Sequence, residues 1–97
     1  MQKLLLVFYD SGIEEDMIEL FERLELEGYT QLFEAQGKGR SGKRFGDQVY
    51  PGTNNVAFVA LPEERIPPLL QGLRDLEAQF RKKPPIRVLS LGAEVIY

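Results

Sequence analysis

Four stretches of the chain have the polarity pattern of β-strands and two have that of amphipathic helices. Lys3–Asp10 is a continuous apolar run that ends at Asp10-Ser11-Gly12, as expected of a central strand buried on both faces. Ile13, Met17, Leu20, Phe21 and Leu24 then recur at helical spacing, which predicts a helix beginning near Gly12 or Ile13 with one apolar stripe. Ser11 and Glu14 have the spacing of a capping box, and Gly28 is the expected residue past the helix end. Tyr29–Gln36 and Asn54–Leu61 read as a second and a third strand. Ile66, Leu69, Leu70, Leu73, Leu76 and Phe80 define a second helix. Pro67 and Pro68 require either that this helix starts near them or that Pro62–Ile66 forms a separate turn leading into it. Arg81, Lys82 and Lys83 suit its last turn, Pro84-Pro85 stops it, and Ile86–Tyr97 is the fourth strand, with Gly92 as a candidate bulge.

The order β-α-β-β-α-β has too few helices to cover both faces of a four-stranded sheet. The expected solution is an α+β, ferredoxin-like single domain over residues 1–97. Its antiparallel sheet would have the strand order fourth-first-third-second, with both helices on one face. A first strand as apolar as LLLVFY then predicts an oligomer that covers the other face.

Between the second and third strands lies Gly37–Gly52, GKGRSGKRFGDQVYPG, the one stretch that combines frequent glycine, clustered positive charge and no apolar periodicity. A connection this long between strands is uncommon in a compact domain and points to function. Gly37, Gly39, Gly42 and Gly46 free the backbone for positive φ and for close approach of main-chain N–H groups to an anion. Lys38, Arg40, Lys43 and Arg44 supply the charge and Ser41 a hydroxyl, so Gly37 to Arg44 is the candidate ligand-binding segment. Three readings of it stand side by side: a solvated tip, an anion or nucleotide site, and a protein-docking element. The literal Gly-x-Gly-x-x-Gly of Gly37, Gly39 and Gly42 does not indicate a dinucleotide fold, because it lies between two strands rather than between a strand and a helix.

Charge and composition narrow the choice. The net charge is −3, yet residues 10–27 carry eight acids against Arg23 alone, while the glycine segment is basic. This asymmetry fits local anion binding or charge-steered docking and does not fit a nucleic-acid binder with a broad basic face. The acidic helix face is read as solvated. The chain has neither cysteine nor histidine, which removes disulfides, thiolate and imidazole metal sites, and histidine-activated serine chemistry. No enzyme activity and no metal are expected. The apolar run at Leu4–Phe8 is too short for a signal-peptide core or a membrane span, so a cytoplasmic protein without membrane insertion is expected.

Gly28, Tyr29 and Thr30, then Gly37, Gly39, Ser41, Gly42, Gly46, Val49, Tyr50, Pro51, Gly52 and Asn54, form a pattern that resembles the PII signalling proteins and, more closely, small PII-like proteins. The resemblance implies a non-enzymatic homotrimer with its sheets facing inward and adenine nucleotides bound in clefts between subunits. The 37–52 segment would be the T-loop that docks on a target such as a transporter or an enzyme. Gly37 and Gly39 match the glycines at the loop base, and Lys43 or Arg44 its basic residues. The second glycine-rich phosphate loop of the PII proteins has no counterpart, since Arg81–Pro85 lacks glycine; Lys82, Lys83 and Arg87 are the candidate phosphate-binding charges there. The glutamine usual near the loop base is absent, and Arg44 and Gln48 stand where the small PII-like pattern has histidines. The implied effector is an adenine nucleotide, bicarbonate or another small anion. The alternative is a constitutive protein-interaction module with no small ligand.

Overall fold

The computed structural model describes residues 1–39, 42–44, 46 and 52–97, with the backbone alone at Arg44. Its elements are β1 (Gln2–Asp10), α1 (Glu14–Arg23), β2 (Thr30–Ala35), β3 (Gly37–Gly39), β4 (Gly42–Arg44), β5 (Asn54–Pro62), α2 (Ile66–Ala78) and β6 (Ile86–Ala93), with short 3-10 turns at Ser11–Ile13 and Glu63–Arg65. β2, β5, β1 and β6 form the main antiparallel sheet in that order, which is the expected topology.

Alternation along the strands decides what each face of the sheet meets. Leu5, Val7 and Tyr9 of β1 and Ala57, Val59 and Leu61 of β5 are buried with Met17, Leu20 and Phe21 of α1 and Leu69, Leu73 and Leu76 of α2. Both helices therefore cover one face. Gly72 allows them to meet closely, because a Cβ at that position would lie 2.5 Å from Leu20 Cδ1.

The helix ends differ from expectation in ways the side chains explain. Asp10, not Ser11, caps the first turn, its Oδ2 accepting from Gly12 N at 2.8 Å. Ser11 turns instead to Thr53, and the carboxylate of Glu14 bonds side chains of three neighbouring strands, so the capping box does not form. α1 stops before Gly28. Glu25 takes the left-handed conformation (φ 54°), Glu25 N donates to Glu22 O and Leu26 N to Phe21 O, the two bonds of a Schellman motif. An Arg65 guanidinium N–H also donates to Leu24 O at this carbonyl end.

Both readings of the prolines hold together: a 3-10 turn precedes α2, and Pro67 lies in its first turn. α2 ends at Ala78, so Arg81, Lys82 and Lys83 follow the helix instead of forming its last turn. β6 ends at Ala93, short of Tyr97, and its register runs unbroken through Gly92 opposite Lys3. The bulge lies in β2, where the register with β5 shifts between Leu32 and Ala35.

Candidate functional site

The described residues at the start of the glycine segment are paired, which their composition does not predict. β3 and β4 form a two-stranded antiparallel ribbon with Gly37 opposite Arg44, Lys38 opposite Lys43 and Gly39 opposite Gly42. This pairing places Lys38 and Lys43, both exposed, directly across from each other on one face. Gly42 (φ 104°) and Gly46 (φ 74°) use the positive-φ freedom, whereas Gly37 does not. Arg40, Ser41, Val49, Tyr50 and Pro51 lie outside the described residues, as does the Arg44 side chain.

The foot of the ribbon is built from named contacts. Glu34, at φ 56°, forms the bulge that carries β2 toward β3. Its N–H donates to Oδ1 of Asn55 at 2.9 Å. Asn55 is the buried polar side chain among the described residues (2% exposed), and its Nδ2 donates to Glu14 Oε1 at 3.0 Å. Glu14 also accepts from the Tyr9 hydroxyl at 2.5 Å and from Gln31 Nε2 at 3.0 and 2.8 Å on its two oxygens. Gln31 donates to the Tyr9 oxygen as well, at 2.8 Å. Burial and the adjacent carboxylate together raise the Tyr9 phenol well above its ordinary pKa, because both disfavour a second negative charge.

On the returning side, Ser11 N donates to Thr53 O at 3.1 Å, and the two hydroxyls lie 2.8 Å apart. Gly46 N donates to Gly52 O at 3.2 Å. A Cβ on Gly46 would approach Thr53 Cγ2 to 2.8 Å, so both φ and space require glycine here.

The second group of predicted residues lies elsewhere. β1 ends, β5 begins and β6 begins at one end of the sheet, since Asp10 pairs with Asn54 and Tyr9 with Ile86. Lys82, Lys83 and Arg87, all exposed, therefore share that end with the ribbon. They belong to the β6 edge, however, and the ribbon continues from the β2 edge. Three strand spacings, about 14 Å, separate the two edges. Among the described residues, no group of three or more acidic side chains is placed to hold a metal.

Among the described residues, no helix covers the face of the sheet opposite α1 and α2. Leu4, Leu6 and Phe8 of β1 line it with Leu32, Phe58, Leu89 and Leu91 in register across the sheet. Leu32 and Leu91 are each 55% exposed, which is unusual for a contiguous apolar surface in a monomer. No described helix is long and apolar enough to cross a membrane.

The polar cluster around Glu14 escapes sequence reasoning. Its members are scattered from Tyr9 to Asn55, and only the β1–β5 and β2–β5 registers bring them together. The available signals were an asparagine and a glutamine at inward-facing strand positions.

No family model matches the chain, and no curated protein matches it. Solved structures do. CPII, a nitrogen regulatory PII-like protein from Thiomonas intermedia K12 solved with ADP, AMP and bicarbonate bound, superposes with a TM-score of 0.71 at 24% identity, covering 93% of this chain and 85% of that one. A DUF3240 family protein from Shewanella baltica OS155 gives a TM-score of 0.74 at 18% identity over 99% and 93% of the two chains. A functionally unknown protein from Pediococcus pentosaceus ATCC 25745 gives 0.69 at 15% identity over 99% and 95%. The fold is that of the PII-like proteins.

Proposed function

We propose that this chain, with its PII-like fold, is a divergent PII-like regulatory protein, non-enzymatic and cytoplasmic, in which a small anionic effector biases the 37–52 segment between states that bind a protein target differently. The observation that carries the reading is the opposed Lys38–Lys43 pair on a glycine-rich ribbon. Two ammonium groups on one face and backbone that approaches closely form a cradle for phosphate or carboxylate chemistry. Gly37, Gly39, Arg40, Ser41, Gly42 and Arg44 complete the proposed site. Lys82, Lys83 and Arg87 join it from another copy of the chain, because one copy keeps them at the far sheet edge. The ligands of CPII make an adenine nucleotide or bicarbonate the first effectors to test.

The effector acts only to the extent that it binds one state of the segment more tightly than the other. Phe33, 60% exposed at the foot of the ribbon, gives a target apolar contact beside the basic charge. The uncovered sheet face supports an oligomer, proposed as a trimer.

Isothermal titration of ADP, AMP and bicarbonate into the wild type and into Lys38→Ala/Lys43→Ala tests the effector. Saturable binding that the double variant weakens at least about tenfold is expected, since two charge-assisted contacts are lost. Binding also weakens as salt rises. No binding to either protein rejects the effector. Capture of a partner that none of these ligands alters then identifies a constitutive interaction module.

A further inference from the structure

Both ends of the glycine segment are tied to the same short junction, Tyr9 to Glu14, between β1 and α1. On the outgoing side the tie is indirect and depends on orientation. The Glu14 carboxylate has only acceptors to offer, and it takes the Nδ2 group of Asn55 at 3.0 Å. With Nδ2 so committed, Oδ1 of this buried amide faces the opposite way, onto the Glu34 N–H of the β2 bulge at 2.9 Å. Removing the acceptor at Glu14 takes away one of the contacts that fix this amide and leaves the Glu34 N–H and the Tyr9 hydroxyl to hold it, so its grip on the bulge loosens. Gln31, one residue after the start of β2, is held by both carboxylate oxygens, so Glu14 grips that strand at two points. On the returning side the tie is direct: Ser11 holds Thr53 through main chain and hydroxyl, and Thr53 is the residue against which Gly46 packs.

We infer that the β1–α1 junction is the clamp that sets how the 37–52 segment leaves and re-enters the sheet, with Glu14 and Ser11 as positioning residues for its two ends. The inference rests on the proposed working role of that segment for its consequence, but not for its test. It places the control of the segment in residues that touch no ligand. A change at the helix start would alter effector affinity through the geometry of the β2 bulge.

Amide hydrogen exchange on the ligand-free full chain reads the clamp directly. Glu14→Ala should speed exchange of the Glu34 amide about tenfold or more, the loss of one hydrogen-bonded tie, while amides of α2 such as Leu73 and Leu76 stay within about twofold. Glu14→Gln, which keeps an acceptor oxygen for Asn55, should restore most of the protection. Ser11→Ala should speed the Gly46 amide and leave Glu34 unchanged, and it carries the test if Glu14→Ala does not fold. Unchanged Glu34 and Gly46 exchange, or loss in step with α2, overturns the clamp. Failure of the wild type to bind any nucleotide or anion rejects the proposed function and leaves these exchange results standing.

Discussion

Glu25 has no glycine's excuse for a φ of 54°, and the left-handed region costs an ordinary residue about 1–2 kcal/mol. The Schellman bonds on either side hold it there. Glu25→Gly should therefore raise stability by about 1 kcal/mol, read as a higher urea midpoint with the slope unchanged. Tyr9 gives a prediction in pH. Its folded pKa is raised above an unfolded value near 10, so its contribution is full below about pH 10. As pH rises further, the unfolded chain gives up a proton that the folded chain keeps, and stability falls. Urea melts from pH 8 to 11 should show a steeper loss for the wild type than for Tyr9→Phe; equal slopes would show that the phenol is not held in this environment. Neither effect was legible in the sequence. Gly28 is the more obvious helix terminator, and the environment of Tyr9 depends on groups five, twenty-two and forty-six positions away.

At the scale of elements, hydrophobic periodicity was a sufficient guide to the two helices and the four strands of the main sheet, though not to their ends. The α1 stripe and the α2 stripe both meet the sheet as their spacing requires, since an apolar face wide enough to need burial has only the sheet to meet. What periodicity could not register was Gly72, which reads as a mild helix defect and is the point where α2 approaches Leu20 of α1. Gly72→Ala gains helix propensity of about 1 kcal/mol but pushes a methyl into a buried leucine, an overpacking of about 1–3 kcal/mol. A net loss of thermal stability is expected, with part of it recovered in Gly72→Ala/Leu20→Val. The ribbon was missed for a related reason. GKGRSGKR carries neither β-branched residues nor alternation, and its strands β3 and β4 are defined by pairing with each other. The candidate residues were visible from glycine and charge, but the opposition of Lys38 to Lys43 follows only from the register.

For the whole molecule, the uncovered sheet face and the two basic groups at one end of the sheet belong to a single account. In the proposed oligomer, copies that bury Leu6, Phe58 and Leu89 against one another would also bring the β6 edge of one to the ribbon of the next. Leu89→Lys, placed in the middle of that face, should convert the proposed oligomer to monomer by sedimentation and abolish the proposed effector binding with it. Subunit mixing tests the shared site most directly. Lys38→Ala/Lys43→Ala and Lys82→Ala/Lys83→Ala/Arg87→Ala, each expected to be deficient in the proposed ADP binding, are dissociated, mixed and reassembled, and ADP titration is repeated. The account predicts that mixed oligomers recover a fraction of wild-type sites at wild-type affinity, because some clefts pair an intact ribbon with an intact β6 edge. Mixed oligomers that bind no better than either variant alone would contradict it.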